Sequence, residues 1–325
     1  MTRVVVHDVF GGPEVLRVVE QTTPEPRAGE VRVRIEAFAV NPLDLMMRAG
    51  ASPAPVRLPG ARLGIEATGV VDAVGEGVVG LPVGAAVVVT AIPDPSVNGS
   101  YAEHLVLPAD RVVPRPAELD AVAAAAWWVA ASTAYGALVE TAGMRPGDRV
   151  LVTAATGGVG RAALQVAAQV GAVPIAVTRH GARRDELLAA GAAAVVATDE
   201  DDLVAAVRQH TEGVGADVVL DLVRGPGQGD LVRATRPGGT LLAAGFLDPR
   251  PAPPVDGPVT VHDYRGFAHT TDPVVVRRMA AFLGAGVRLG VIRPAVGPVL
   301  GLDDVVAAHR LAEAGAGAGK VVVTV

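Results

Sequence analysis

Cysteine is absent from the 325-residue sequence, and this absence excludes several kinds of chemistry at once. Without cysteine the chain forms no disulfide, holds no metal through thiolates and has no cysteine nucleophile. Aromatic residues are also scarce, at 3% of the sequence, while 50% of the residues are apolar. Valine, alanine and leucine must therefore fill the core, and the chain is long enough for two domains.

An excess of positive charge is missing as well. The formal net charge is −6, whereas a protein with a large nucleic-acid footprint usually presents a basic face. The first ten residues lack the basic, apolar and small-residue order of a signal peptide. The stretch Ala121–Leu138 is apolar but rich in alanine, and a membrane span needs about 20 strongly apolar residues. These features predict a soluble, cytoplasmic protein that binds neither nucleic acid nor membrane.

The first third of the chain has the pattern of β-strands. Val31–Ile35 alternates apolar and polar residues with a period of two, which is typical of a half-buried strand. Gly69–Gly75 and Ala85–Thr90 are short valine-rich runs bounded by turn-forming residues. We expect a small, irregular β domain here.

From Arg149 onwards, apolar runs alternate with helix-like segments. The expected strands are Val150–Thr153, Pro174–Thr178, Ala193–Ala197, Val218–Asp221 and Thr240–Ala244. The expected helices between them are Arg161–Val170, Arg183–Ala190 and Asp201–His210. Strands that are apolar on both faces and separated by helices indicate βαβ crossovers and a covered parallel sheet. The predicted class is therefore α/β, a doubly wound parallel sheet that follows a β domain.

A glycine-rich turn, Ala154–Gly160, joins the first of these strands to the first helix. Backbone amides at a helix N-terminus point towards a bound anion, and the helix dipole assists them. Glycines let the pyrophosphate of a dinucleotide and the neighbouring strand approach closely. Because the flanking strand and helix supply the context that the motif requires, we interpret the turn as a dinucleotide site. Its candidate residues are Thr156, Gly157, Gly158, Val159 and Gly160.

The end of the next strand indicates which dinucleotide is bound. An NAD site usually places Asp or Glu about 20 residues after the glycine turn, where it accepts from a ribose hydroxyl. Here the sequence has Thr178 and Arg179, followed by Arg183. Cations and a hydroxyl suit a 2′-phosphate, and no carboxylate stands there to repel it. NADPH is therefore the expected cofactor; NADH and a merely solvated basic loop are the alternatives.

Short motifs recur in a characteristic order along nearly the whole chain. They are Gly11–Leu16, Pro26–Val33, Asn41–Asp44, Gly69–Val71, Val74–Val78, Gly99–Glu103, Thr133–Tyr135, Arg145–Asp148, Ala154–Gly160, Arg236–Gly239 and Gly319–Val322. In this order and spacing they resemble the zinc-independent quinone oxidoreductases of the zeta-crystallin type, within the medium-chain dehydrogenase/reductase superfamily. The resemblance implies a GroES-like catalytic domain, residues 1–120 and 288–325, and a Rossmann NADPH-binding domain, residues 121–287.

The resemblance also implies functions for individual residues. Cofactor contacts would come from Gly157–Gly160 at the pyrophosphate, from Arg179 and Arg183 at the 2′-phosphate, and from Thr133, Gly245 and Phe246 beside the nicotinamide. Asn41 matches a polar residue of the active site and is our candidate donor to a developing oxyanion. Asp44 is the second catalytic candidate, as a proton relay. The alternative for both residues is structural, with Asn41 capping the loop beside Pro42 and Asp44 ordering it.

Three departures from the family pattern bear on the chemistry. Zinc-dependent relatives have a cysteine near Asn41 and a histidine at the place of Ile65, so no metal site is expected here. Met46 stands where many quinone reductases have a tyrosine, so that proton donor is missing. Arg224 stands where glycine is common after the fourth strand of the nucleotide-binding domain.

The resulting functional hypothesis is an NADPH-dependent reductase. It would transfer hydride to a quinone or an α,β-unsaturated carbonyl, with the protein orienting the cofactor. One alternative is an enoyl-thioester reductase similar to the enoylreductase domains of polyketide synthases. The other is a non-catalytic NADPH-binding or sensor protein. Besides the small-molecule electrophile, the expected partner is a second copy of the chain, which would form a homodimer through an edge strand near Asp263–Thr271.

Overall fold

The computed structural model describes residues 1–255, 257–315 and 319–325. The chain forms two compact units. The first unit comprises Met1–Val129, Thr270–Ala280 and Pro294–Val325, and the second comprises Ala130–His269 and Ala281–Arg293.

The secondary structure follows the order that the sequence predicts, with β-strands first and alternating strands and helices later. The strands are β1 (Thr2–Val6), β2 (Arg17–Gln21), β3 (Glu30–Ala39), β4 (Ala67–Val74), β5 (Ala86–Val89), β6 (His104–Pro108), β7 (Val112–Pro114), β8 (Arg149–Val152), β9 (Val173–Thr178), β10 (Ala194–Ala197), β11 (Ala216–Asp221), β12 (Thr235–Ala243), β13 (Thr260–Asp263), β14 (Val296–Gly301) and β15 (Lys320–Thr324). The α-helices are α1 (Pro42–Ala49), α2 (Pro95–Asn98), α3 (Ala121–Ala125), α4 (Trp128–Tyr135), α5 (Gly158–Val170), α6 (Arg184–Ala189), α7 (Leu203–His210), α8 (Gln228–Ala234), α9 (Phe267–Thr270), α10 (Pro273–Arg288) and α11 (Val305–Glu313). A π-helix spans Gly136–Thr141, and 3-10 turns span Pro13–Val15, Ala109–Arg111, Gly181–Arg183 and Leu302–Asp304.

The first unit is built on a seven-stranded sheet with the path β14-β15-β3-β4-β5-β7, in which β6 also pairs with β3. Strand β3 is the longest, because its first half pairs with β6 and its last residues pair with β15. Val31, Val33 and Ile35 are buried on one face of β3, which confirms the period-two prediction. Phe38 at the end of β3 stacks on Tyr101 with ring centroids 4.1 Å apart.

The second unit is built on a six-stranded parallel sheet in the order β10-β9-β8-β11-β12-β13. The order runs outwards from β8 in one direction and from β11 in the other, as in a doubly wound sheet. Helices α5, α6, α7 and α8 connect successive strands, and the central strands are buried almost throughout. The predicted α/β class is therefore confirmed.

The edge strand of this sheet lies earlier than the sequence suggested. It is β13, Thr260–Asp263, and all four of its residues are exposed. The prediction of a strand near Asp263–Thr271 was wrong, since Phe267–Thr270 is helix α9. Pairing with β12 stops at Asp263 because its partner, Ala243, is the last residue of β12.

The apolar stretch Ala121–Leu138 folds as α3, α4 and the start of the π-helix. Trp127 and Trp128 are buried here, and the indole N–H of Trp128 donates to Thr90 O at 2.9 Å. Across the described ranges, none of the helices combines the length and the apolar character needed to span a bilayer.

Candidate functional site

The strand order of the second unit reverses between β8 and β11. Ligands of doubly wound sheets bind outside the carboxyl ends of the strands at such a point. Thr153 follows β8, and its hydroxyl donates to Oδ1 of Asp221, the last residue of β11, at 3.2 Å. The same hydroxyl accepts from the N–H of Leu222 at 2.8 Å. Both side chains are buried, so a fixed polar contact joins the two strand ends beneath the glycine turn.

The glycine turn approaches its own backbone as closely as the sequence predicts. A β-carbon on Gly160 would lie 2.5 Å from Ala154 O and 2.6 Å from the Cα of Ala155. No residue larger than glycine fits at this position without a shift of the backbone. Gly157 is the N-cap of α5 and has no side chain to occupy the first amides of that helix. Those amides are therefore suited to an anion. Thr156 and Val159 are half-buried beside them.

The glycine turn and the end of β9 are held together. The N–H of Ala155 donates to Val177 O at 3.2 Å. Thr178, the last residue of β9, is buried, and its hydroxyl accepts from the N–H of His180 at 3.4 Å. Arg179 is exposed. The predicted pyrophosphate and 2′-phosphate regions thus occupy neighbouring strand ends.

A second arginine, which the sequence reasoning missed, joins Arg183 near this turn. Arg161 lies in the first turns of α5, and its Nε donates to Thr156 O at 3.2 Å. Its Nη2 contacts Oε1 of Glu186, and Arg183 Nη2 donates to the same oxygen at 2.9 Å. Burial, together with the charge of Arg183, lowers the pKa of Arg161. Two guanidinium groups therefore share one carboxylate beside the glycine turn.

One carboxylate serves both guanidinium groups of this arginine pair. Arg183 Nε lies 2.5 Å from Glu186 Oε2. Yet neither this buried Nε nor the buried Nη2 of Arg161 has an aligned hydrogen-bond acceptor in the described part of the chain. A phosphate group offers three acceptor oxygens and negative charge, so the chemistry of the pair fits a 2′-phosphate.

The residues after β12 lie against the loop after β11. Gly245 N–H donates to Asp221 O at 3.0 Å, and a β-carbon on Gly245 would lie 1.7 Å from Leu222 O. Phe246 follows and is half exposed. Arg224 adopts φ +67°, a left-handed conformation that favours glycine, and its Nη2 donates to Ala243 O at 3.0 Å.

Thr133 lies on α4, just before the π-helix. Its Oγ1 is 4.0 Å from the position that a β-carbon on Gly266 would take. At the start of the π-helix, a β-carbon on Gly136 would lie 2.2 Å from the hydroxyl of Tyr264. That hydroxyl lies 3.3 Å from Nδ1 of His269, and burial raises the pKa of Tyr264. π-helical turns often occur at functional sites.

In the first unit, Asn41 belongs to a buried polar cluster that includes Glu66 and Lys320. Asn41 Nδ2 donates to Glu66 Oε1 at 2.9 Å and to Ala39 O at 3.2 Å. Lys320 Nζ donates to Asn41 Oδ1 at 2.8 Å and contacts Glu66 Oε1. The side-chain amide of Asn41 is thus fully engaged, because it has only two N–H donors. Burial lowers the pKa of Lys320 to about 7, against the opposing charge of Asp44.

Asp44 is completely buried at the start of α1. Its Oδ2 accepts from the N–H of Asn41 at 2.8 Å and from the hydroxyl of Tyr101 at 3.2 Å, and its Oδ1 accepts from the N–H of Gly64 at 3.1 Å. With Asn41 it forms a capping box for α1. Burial raises the pKa of Asp44 to about 6, although these hydrogen bonds oppose the rise.

The hydroxyl of Tyr101 continues towards His309 and Arg48. His309 Nε2 lies 3.2 Å from this hydroxyl, and Arg48 Nη1 lies 3.1 Å from His309 Nδ1. Because arginine is a permanent donor, Nδ1 of His309 accepts and Nε2 carries the ring hydrogen. Burial lowers the pKa of His309 to about 3, with a further contribution from Arg48. This chain fixes Tyr101 as a donor to Asp44.

In the described ranges, no three His, Cys, Asp or Glu side chains come together as a metal site would require. Ile65 presents no ligand where zinc-dependent relatives have histidine. Two participants in the polar clusters, Glu66 and Lys320, were not among the predicted site residues. Lys320 lies in the closing motif Gly319–Val322, so only its place in that motif signalled it.

Two family models match the chain. "Alcohol dehydrogenase GroES-like domain" matches residues 27–117, and "Zinc-binding dehydrogenase" matches residues 158–267. The first unit thus contains a GroES-like domain and the second a Rossmann-type sheet, as the resemblance implied.

Several known proteins are similar in sequence or structure over most of this chain. A quinone oxidoreductase of Lama guanicoe is 32% identical and covers 96% of this chain and 94% of its own. A phenolphthiocerol/phthiocerol polyketide synthase protein of Mycobacterium tuberculosis is 34% identical over 74% of this chain and 11% of its own. The crystal structure of Escherichia coli quinone oxidoreductase complexed with NADPH is 28% identical, with a TM-score of 0.89 and full coverage of both chains. Because a relative with 32% identity spans nearly the whole sequence, this protein belongs to the quinone oxidoreductase family of the medium-chain dehydrogenase/reductase superfamily.

Proposed function

We propose that this protein is a zinc-independent, NADPH-dependent reductase that transfers hydride to a quinone or an α,β-unsaturated carbonyl. The observation that carries the proposal is the arginine pair Arg161 and Arg183 beside the glycine turn, with Thr178 where an NAD site usually has a carboxylate. The family supports it, since the relative from Lama guanicoe is named a quinone oxidoreductase and the Escherichia coli structure is complexed with NADPH.

The second unit would hold NADPH through the predicted residues. The amides of Gly157, Gly158, Val159 and Gly160 would face the pyrophosphate, with Thr156 beside them. Thr178, Arg179 and Arg183 would surround the 2′-phosphate, and Thr133, Gly245 and Phe246 would lie beside the nicotinamide. When bound, NADPH supplies the hydride. The role of the chain is to fix its orientation.

In the first unit, Asn41 and Asp44 would act through Lys320. The amide hydrogens of Asn41 are engaged with Glu66 and Ala39, so Asn41 holds the ammonium rather than donating to a substrate itself. Lys320 has three N–H groups, of which Asn41 and Glu66 engage two. The third would stabilise the oxyanion that forms when the carbonyl accepts hydride. Asp44 fixes the backbone of Asn41 and so positions this group.

The proposal is zinc-independent because the chain lacks suitable zinc ligands at the positions where zinc-dependent relatives have them. The sequence has no cysteine, Ile65 has no ligating atom, and Asn41 is already bonded to Lys320. A catalytic zinc in proteins is held by three nitrogen, sulfur or carboxylate ligands. Activity that survives exhaustive chelation would support the proposal, and activity that returns only with added zinc would overturn it.

The decisive experiment follows oxidation of NADPH and NADH against quinones, enones and enoyl thioesters. Wild-type protein should turn over quinones or enones with NADPH well above NADH. The double variant Arg179→Ala/Arg183→Ala should lose that preference, chiefly through a higher KM for NADPH. Arg310→Ala removes an exposed arginine of α11 and is the matched control. Equal use of both coenzymes by the wild type would contradict the assigned cofactor.

A second candidate is an enoyl-thioester reductase. The similarity to the Mycobacterium tuberculosis polyketide synthase protein favours it, because its 34% identity extends over 243 residues. In the same assay, a kcat/KM for enoyl thioesters far above that for quinones and enones would establish this candidate instead. Tight NADPH binding without turnover on any acceptor would indicate a binding or sensor protein.

We also propose that two copies associate through β13. All four residues of this edge strand are exposed, Val261 among them. An open edge offers unpaired backbone groups to another strand. Sedimentation should therefore show a dimer that Val261→Lys weakens, whereas Val299→Lys, at an exposed position of β14, leaves it intact. A monomeric wild type would refute the association.

A further inference from the structure

We propose that Glu186 acts as an internal competitor of the coenzyme's 2′-phosphate: it holds Arg161 and Arg183 in the free protein and releases them when the phosphate binds. This inference rests on the proposed NADPH cofactor. It adds two residues, Arg161 and Glu186, to the determinants of coenzyme choice.

The position of Glu186 favours this role. It lies in the first turn of α6, three residues after Arg183, with which it forms an i, i+3 ion pair. Arg161 reaches the same carboxylate from α5, a helix whose N-terminus carries the glycine turn. The carboxylate therefore stands between the two cations that are nearest to the expected phosphate.

The geometry of the pair shows that Glu186 satisfies the arginines incompletely. Arg183 Nη2 forms one aligned bond of 2.9 Å. The buried Arg183 Nε and Arg161 Nη2 contact the carboxylate without hydrogen-bond alignment, and the described residues give them no other acceptor. A carboxylate has two oxygens, whereas a phosphate has three and more negative charge. A phosphate would therefore offer the two guanidinium groups more acceptor oxygens and more negative charge than the single carboxylate that they share.

The charges around the pair leave a positive surplus for the phosphate. Arg184, the next arginine, is already engaged, since its Nη2 lies 2.7 Å from Asp201 and 3.0 Å from Glu200. Two carboxylates thus serve Arg184, while one serves Arg161 and Arg183 together. Arg179 is exposed nearby. The charge of Glu186 would repel a phosphate as well as compete with it, so its removal strengthens phosphate binding.

The test is a calorimetric titration with 2′,5′-ADP and with ADP, which differ in whether the ribose carries a 2′-phosphate. Glu186→Gln should bind 2′,5′-ADP about fivefold more tightly than the wild type, as expected for a partly exposed ion pair, and should bind ADP unchanged. Arg161→Met should weaken 2′,5′-ADP binding more than ADP binding, since Arg161 Nε also donates to Thr156 O of the glycine turn. Asp185→Asn is the matched control, because it removes the same charge from the exposed neighbouring residue. Glu186→Ala repeats the measurement with a second side chain, should the glutamine variant not fold.

The outcomes separate this inference from the proposed function. If the wild type prefers 2′,5′-ADP but the Glu186 variants bind it unchanged or more weakly, NADPH stands and the competition is refuted. An equal gain in Asp185→Asn would also refute it, because the effect would then be one of overall charge. A wild type that does not distinguish 2′,5′-ADP from ADP would refute both.

Discussion

Lys320 donates from its buried ammonium to Oδ1 of Asn41 at 2.8 Å, and the same ammonium contacts the carboxylate of Glu66. The side chains of Lys320 and Glu66 are 10% and 1% exposed, so both charges have lost most of their water. Removal of one partner from a buried ion pair leaves an uncompensated charge, which costs more than the pair contributes. The stability of the first unit therefore depends on Lys320 and Glu66 being present together.

A double-mutant cycle tests that dependence. Lys320→Met and Glu66→Gln should each destabilise the protein by about 3–5 kcal/mol, whereas the double variant should lose much less than the sum. Both tryptophans of the sequence, Trp127 and Trp128, are buried in the first unit, so urea unfolding followed by tryptophan fluorescence reports on it.

The control for this cycle is the exposed pair Asp8 and Arg17, with a distance of 2.7 Å. Arg17→Met should leave the unfolding midpoint unchanged, because exposed pairs are well solvated. Strictly additive losses in the cycle would show that Lys320 and Glu66 are not coupled.

Stability should fall with acid because of His309. Its pKa is lowered from 6.5 to about 3 in the folded protein, so between these values the unfolded chain binds a proton that the native protein excludes. The free energy of unfolding therefore falls as the pH drops from 6.5 towards 3. At pH 4.5 the loss from this residue should be about 2–3 kcal/mol, measured as the difference between urea unfolding at pH 7 and at pH 4.5.

His309→Gln should remove most of that loss, and His262→Gln, on the exposed strand β13, should not. Asp44 acts in the opposite direction, since its raised pKa of about 6 favours the native protein at acid pH. Its contribution is common to the wild type and to the control variant His262→Gln. A wild type and a His309→Gln variant with the same pH dependence would contradict the assigned cause.

How much of the fold and of the candidate site was predictable from the sequence depends on how far apart the contacting residues lie in the chain. The glycine turn Ala154–Gly160 was predictable because a strand, a turn and a helix follow one another locally. The contact of Arg161 with Glu186 joins two helices, and that of Lys320 with Asn41 joins residues 279 positions apart, so no local pattern signals either. The edge strand was misplaced because the exposed residues of β13 show no alternation to mark its bounds. Arg224 was noticed as a departure from glycine, but its left-handed backbone became visible only in the structure.

That backbone leads to a prediction about Arg224. At φ +67° a β-carbon is strained, by about 1–2 kcal/mol relative to glycine. Arg224→Gly and Arg224→Ala lose the same guanidinium contacts, to Ala243 O and Asp263, so the difference between them isolates the backbone. The glycine variant should be the more stable by about 1 kcal/mol in thermal unfolding. At Arg184, where φ is −58°, the alanine variant should be more stable than the glycine variant. A more stable glycine variant at both positions would contradict the assignment of the effect to backbone strain.

Gly245 should tolerate no side chain at all. A β-carbon there would lie 1.7 Å from Leu222 O and 1.9 Å from its carbonyl carbon. The Leu222 carbonyl is held in place, because the N–H groups of Leu222 and Val223 donate to Thr153 Oγ1 and Asp221 Oδ1. Gly245→Ala must therefore push β12 away from the end of β11, at a cost of about 3 kcal/mol. The measurement is hydrogen–deuterium exchange in peptides of β11 and β12, where protection should fall. Gly227→Ala is the matched control, since Gly227 has helical backbone angles and nothing within 4 Å of its β-carbon position; it should be neutral or slightly stabilising. Unchanged protection in Gly245→Ala would mean that the loop after β12 moves without disturbing the sheet. The close approach of the two strand ends would then not explain the positions of Gly245 and Phe246.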